Sequence, residues 1–372
     1  MTRAVAARMS AAAQEWLASL DGAQHPQGAM AWPSDAERHR WYYTPTDHGG
    51  LALGQMRPAQ QRLAMRVLAS GLSRAGYVTA VTVLGLENVL DELEGWQGGF
   101  GRERGRDPQL YWLRVFGEPG DGPWSWRFGG HHVSVHHLVV DGEVAASTPC
   151  FLGADPASSP LLGPGPLRPL AGVEDPAREL MRSLDPGQAA RALLTAVAPT
   201  DLVTANRPRV EEGDVPLRLP DVWRGRFADP GLAAAVEAVQ RGAEEKAGAR
   251  PSDVEAVALT ARPKGLPAAD MTDRQQGLLR GLLGAYVGRV PDEVAEREAA
   301  RFAGAALAGV HFAWAGALEP GRAHHYRLQG PRLLAEYTNT HRDANHVHSV
   351  WRDPENDFGL DVLRAHTEEH PH

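Results

Sequence analysis

The chain has 372 residues, 38 Lys plus Arg against 46 Asp plus Glu for a net charge of −8, 43% hydrophobic residues and 23% charged ones. This balance describes a globular chain long enough to bury a core without staples; it argues against global disorder and gives no support to a general nucleic-acid or anionic-membrane binder. Cys150 is the only cysteine, which excludes an intrachain disulfide, a zinc ribbon and a thiolate-ligated iron–sulfur cluster.

In chain order, residues 3–20 read as an amphipathic helix, because Arg8, Gln14 and Glu15 interrupt the apolar run that a signal peptide needs. No stretch approaches 18 uninterrupted apolar residues, so no transmembrane helix is expected, and the expected location is cytoplasmic. A loop carrying Trp32 and Trp41-Tyr42-Tyr43 runs to Gly49-Gly50. Residues 57–74 place Leu63, Val67 and Leu68 at helical spacing, with Pro58 suited to the first turn. Residues 79–93 carry a second stripe in Val83, Leu86, Val89, Leu90 and Leu93. Strand formers then take over at 110–116 and 124–128, and a longer strand is expected over 131–140, closed by the turn pair Asp141-Gly142.

The middle of the chain is helical and loop-rich. Residues 153–172 are dense in Pro and Gly and read as an irregular connection. Helical spacing over 174–197 is broken at Pro186-Gly187, residues 198–228 have no period, and helices are expected over 230–246 and 273–303. A second strand block follows at 308–315, 323–329, 332–338 and 345–351, with short connections that imply antiparallel neighbours. Strands in two blocks, with helices before and between them, make an α+β protein. Length alone suggests about two domains. A single domain over residues 1–372 is preferred, with one antiparallel sheet drawn from both strand blocks and a helical insert at about 153–305, because neither block has helical cover of its own.

The informative residues are histidines. Of 16, ten fall within residues 131–137 and 311–348. Alternate side chains of a strand share a face, roughly 7 Å apart at the backbone. In HHVSVHH one face carries His132, Ser134 and His136; in NHVHSVW, His346 and His348 share a face with Val350. Two ligands from one strand and one or two from another would form a three- or four-histidine site, and neutral imidazole suits Zn, Cu, Fe or Ni. Glu336, a carboxylate inside the apolar strand RLLAEYT, is the preferred general base or additional ligand, with Asp343 as the alternative. The plainer reading stands beside this one: strand histidines are often half-buried groups bonded to backbone or packed on aromatic rings. His324-His325 reads as an exposed and buried alternation, and His366, His370 and His372 as solvated. Trp126, Trp351 and Tyr337 are candidate pocket walls, and Arg352 and Arg127 candidate partners for a substrate carboxylate. The same residues serve equally well as core and ion pairs. There is no G-x-S-x-G, Walker or H-E-x-x-H motif.

The segments RHRWYYTP, PWSWRFGGHHVSV, TPCFLGADPA, FAWAG, HYRLQGPRLLAEYTNT and DANHVHSVWRDPENDFG occur in that order from about Trp41 to the C-terminus. Together they resemble the domain-of-unknown-function family numbered 3500. The resemblance matches Gly-His-His followed by Ser134, and a Glu-Tyr…Asn-His-x-His-Ser-x-Trp-Arg-Asp segment at Glu336, Tyr337, Asn345, His346, His348, Ser349, Trp351, Arg352 and Asp353. The family more usually has Asn where this chain has His136, which leaves His132, His346 and His348 as the stronger set. It also tends to have Arg near His48. The family name carries no activity.

The expectation is therefore a metal-dependent enzyme with a mononuclear, histidine-rich site for an unidentified small-molecule substrate, with no nucleic-acid or membrane partner. His132, His346 and His348 are the ligands, His136 is a further candidate, and the ion is a divalent Zn, Cu or Fe. Trp126, Tyr337, Trp351 and Arg352 would hold the substrate. Hydrolysis is preferred over Cu- or Fe-dependent oxidation because a carboxylate, Glu336, lies beside the imidazoles. A non-catalytic small-molecule binder is the third reading.

Overall fold

The computed structural model describes residues 2–363, apart from 121, 162, 225, 226 and 228. Several of its helices begin where the sequence supplies a cap or a proline. Helix α1 covers Arg3–Ala18. Pro58 opens α2, Pro58–Gly71. The Ser73 hydroxyl accepts from the Gly76 amide at the start of α3, Arg74–Leu93. Helix α4, Ala171–Ser183, begins inside the segment expected to be irregular. Asp229 caps α5, Pro230–Ala247, which ends at Gly248 in the left-handed conformation. The single helix expected over 273–303 is two: α6, Asp273–Val287, capped by Thr272, and α7, Asp292–Ala300. Pro291, with no amide hydrogen to donate, sits extended between them and restarts the helix.

The strands are β1 (Tyr111–Phe116), β2 (Trp124–Gly130), β3 (Val133–Val140), β4 (Glu143–Ala146), β5 (Cys150–Ala154), β6 (His311–Gly316), β7 (His324–Gly330), β8 (Leu333–His341) and β9 (His346–Arg352). They form one sheet in the order β1-β2-β3-β5-β9-β8-β7-β6, antiparallel at every step, with β4 paired to β3. Short strands extend both ends, including parallel pairings of 29–30 with β1 and of 193–195 with β6. The protein is α+β, and its sheet takes strands from both blocks. The link is β5, a strand that the sequence reading does not mark and that runs into the segment 153–172 expected to be irregular. Val133 faces Leu152 on one side of it, and His348 faces Gly153 on the other.

One expectation is corrected at the β2–β3 hairpin. The strand begins at Val133, not His131; His131-His132 form the turn, and His132 has φ +63°. His132 and His136 therefore do not share a strand face. Asp141-Gly142 do form the next turn, both with positive φ, as a two-residue hairpin loop requires.

Both faces of the central sheet are buried, so its strands lack simple polar alternation. One face packs Leu113, Trp126, Val135, Leu152 and Trp351 against the helices. The other packs Phe151 and Val350 against Trp41, Tyr43, Leu202, Ala205, Val222 and Phe358. The cover on this second face comes largely from the period-free segment 198–228. Among the described residues no helix is long and apolar enough to cross a membrane. His366, His370 and His372 lie outside the described residues.

Candidate metal centre

Three imidazoles meet where the two strand blocks join. His346 and His348 stand two residues apart on β9 and project to the same side, and His132 enters from the β2–β3 turn on the far side of β5. Gly153 makes the approach possible. Its amide donates to the His132 carbonyl at 2.8 Å, and a Cβ there would fall 2.9 Å from His132 Cδ2 and 2.7 Å from the Val347 carbonyl oxygen. The Nε2 atoms converge: His132 to His346 at 2.8 Å, His346 to His348 at 3.0 Å, His348 to His132 at 3.3 Å.

The far side of each β9 ring decides what those nitrogens present. His348 Nδ1 donates to Asp201 Oδ1 at 2.7 Å, and His346 Nδ1 lies 3.3 Å from Asp155 Oδ2. A carboxylate only accepts, so the bond to Asp201 puts the His348 proton on Nδ1 and leaves its Nε2 a lone pair, and Asp155 beside His346 Nδ1 favours the same tautomer there. Two lone pairs 3.0 Å apart repel, and a proton on His132 could satisfy only one of them. A cation among the three rings satisfies all of them. Nitrogens bound at about 2.0–2.1 Å around a tetrahedral ion stand roughly 3.3 Å apart, close to the separations seen. The three histidines are near enough to hold one metal ion. Burial, and then the neighbouring imidazoles, hold His132 and His346 well below the usual histidine range, which keeps them neutral and ready to ligate. Burial alone would raise the Asp201 carboxyl, but His348 pulls it below its ordinary value. Carboxylate-backed histidines of this kind fix ring orientation and raise ligand basicity.

The cluster forms the floor of a cleft of about 370 Å³. Tyr43, Thr44, His131 and His341 surround the imidazoles. The Tyr43 hydroxyl donates to Asp201 Oδ2 at 3.0 Å, and its ring lies 4.9 Å from that of His348. Arg342 Nε donates to Asp155 Oδ2 at 2.7 Å, and Arg342 also pairs with Glu94. Arg106 meets Glu94 through two bonds of 2.8 Å. Burial pushes the Asp155 carboxyl up to about 6, against the pull of Arg342 and Arg106. Its Oδ1 is buried without a hydrogen-bond partner.

The other residues singled out from the sequence lie elsewhere. The His136 Nε2 bonds to Ser134 Oγ at 2.9 Å, and its ring stands edge-on to Phe358 and Trp41. Glu336 is fully buried on the face that carries His348, one pair further along the sheet. Its Oε2 accepts from the Thr204 amide at 2.9 Å, and Oε1 lies 3.6 Å from His325 Nε2 and 3.9 Å from Arg327 Nη1. It lies outside the cleft lining. Asp343 is exposed and paired with Lys246. Trp126 stacks on His137, Trp351 packs into the main core, and Tyr337 lies between His324 and Tyr326. Arg352 is buried against Asp357 and the Trp41 ring, and Arg127 against Glu37. None of these lines the cleft. The expected pairing of aromatic walls with a substrate-binding arginine is thus corrected: in a sheet buried on both faces, strand tryptophans and arginines are taken up by the core and its ion pairs.

What the sequence left unmarked is the supporting set: Asp201, Asp155, Tyr43, Arg106 and Arg342. Asp201 lies in a segment without period, and Asp155 follows a strand that was not foreseen. Tyr43 lies in the Trp-Tyr-Tyr run and Asp155 in the segment TPCFLGADPA, but neither position carries a pattern that points to a site. No curated protein and no solved structure matches the chain. The model of the family described as "Protein of unknown function (DUF3500)" matches residues 2–360, almost the whole length, and the chain belongs to that family.

Proposed function

We propose that the protein is a metal-dependent enzyme that acts on a small molecule at a three-histidine centre. The observation that carries this is the meeting of the His346 and His348 Nε2 atoms 3.0 Å apart, with Asp201 bonded behind His348, Asp155 close behind His346, and His132 closing the triangle. When bound, a divalent ion supplies Lewis acidity to an oxygen donor. Asp201 and Asp155 hold the imidazole tautomers. Arg342 holds Asp155 Oδ2 and leaves Oδ1, a buried acceptor without a protein partner, on a residue that lines the same cleft. That acceptor can receive a proton from a water or a substrate hydroxyl, which favours a hydrolytic reaction and assigns to Asp155 the role expected of Glu336.

Oxidation through Cu or Fe has one observation in its favour, the Tyr43 phenol beside His348 and bonded to Asp201. The test is elemental analysis of protein purified without an affinity tag. Near-stoichiometric zinc supports the hydrolytic reading, and copper or iron the oxidative one. Protein that arrives without metal and takes up none when offered it refutes both and leaves a binding protein.

A further inference from the structure

Helix α5 turns an apolar stripe toward the cleft. Leu232, Ala235, Val236 and Val239 line it at spacings of three, one and three residues, the pattern of one helical face. The fold makes little use of that stripe: of the helix's residues only Val236 and Gln240 are buried, and Val239 is 54% exposed. Trp223 and Phe100 continue the same wall. At the inner end the two lining arginines are already committed, Arg106 to Glu94 and Arg342 to Asp155 and Glu94. Neither offers an unpaired cation to a phosphate or a polyanion.

We infer that the cleft takes a small carboxyl compound with an apolar body, an acyl chain or aryl ring of medium length, its oxygen head at the histidine centre and its body along α5. This rests on the metal reading above and names its substrate class. The volume agrees. At about 30 Å³ for each water-sized group, 370 Å³ holds roughly a dozen heavy atoms, enough for a chain of medium length and too little for a folded polymer segment. The polarity agrees as well: a pocket that is mostly apolar with a few convergent polar groups at one end orients an amphiphile by its head. A peptide helix laid on α5 would use the stripe but would not reach the imidazoles.

The test uses the full chain loaded with Co²⁺, whose visible absorption reports a ligand entering the metal's surroundings. Straight-chain carboxylates from acetate to octanoate are titrated in. Affinity is expected to rise about fourfold with each added methylene that slides under α5. Val239→Asp, at an exposed position that the fold does not depend on, should flatten the series. Val254→Asp, exposed on the neighbouring helix Pro251–Val257 and outside the cleft, should leave it steep. A Co²⁺ response independent of chain length, or a Val239→Asp series as steep as the parent's, overturns the substrate class and leaves the metal centre standing. Failure to take up Co²⁺ at all overturns the metal reading, and this inference with it.

Discussion

Asp201→Asn separates an oriented ligand from a merely nearby one. Asp201 Oδ1 accepts from His348 Nδ1 and from the Leu202 amide, both at 2.7 Å, while Oδ2 accepts from the Tyr43 hydroxyl at 3.0 Å. An amide keeps the shape. Its oxygen can still serve His348 and Leu202, but its nitrogen then faces a hydroxyl that had been donating, and the negative charge behind the imidazole is gone. The tautomer survives while ligand basicity and the charge-assisted bond do not. Loss of such a partner typically weakens metal binding by about 10–100-fold, equivalent to about 1.4–2.7 kcal/mol. The assay is competition with a chromophoric chelator, alongside a thermal melt of the metal-free protein. Tyr43→Phe, which removes only the hydroxyl, should weaken metal less. Affinity within about twofold of the parent for Asp201→Asn, well below that range, would refute the claim that Asp201 sets the ligand.

Further outcomes follow from the same geometry. His346→Ala should lose most bound metal and stay folded, whereas His136→Ala should keep its metal and lose stability, about 2–4 kcal/mol for a buried ring packed on Phe358 and Trp41; equal metal retention in both would assign the cluster to packing. Gly153→Ala should push His132 out of line and lower metal content, at a cost of about 1–3 kcal/mol from overpacking; unchanged metal affinity would show that the turn gives way without moving the ring. Burial holds His48 and His137 at about 3 and His324 at about 4. The unfolded chain therefore takes up protons near pH 6.5 that the folded chain refuses, so stability is full above that pH and falls as the pH drops toward 3–4. Each group contributes a slope of about 1.4 kcal/mol per pH unit, and His137→Gln should remove one such slope in denaturant melts between pH 7 and 5; an unchanged pH dependence counts against a neutral, buried His137.

Period-2 spacing made β9 and its two clustered histidines legible, because a strand's geometry is local. The same logic misplaced His132. HHVSVHH reads as one strand, yet the hairpin takes its first two residues for the turn, and a positive φ aims His132 across β5. The helices were legible for the same local reason, through Pro58 and the apolar stripes, and α6–α7 failed only where Pro291 restarts the chain. Glu336 drew attention because a buried carboxylate needs partners. Its one bonded partner is the Thr204 amide, with His325 and Arg327 near its other oxygen, and all three are remote in sequence and gave no sign of supplying the need. Asp201 was illegible for the converse reason: its segment carries no pattern until it folds over the sheet.

Strand β5 explains why the site could be half read and not assembled from sequence. The five residues of the strand, Cys150–Ala154, have no room for a period, and with both faces buried they show no alternation. Yet β5 performs three operations at once. Its pairing with β3 and β9 sets the register that brings the His132 turn beside His348. Its glycine, opposite His348, leaves the space that the His132 ring occupies. The residue after it, Asp155, turns its carboxylate to His346 and to Arg342. Histidines from chain positions more than 200 residues apart thus depend on one short strand to meet. Removing its register would disperse the centre even if every histidine stayed in place.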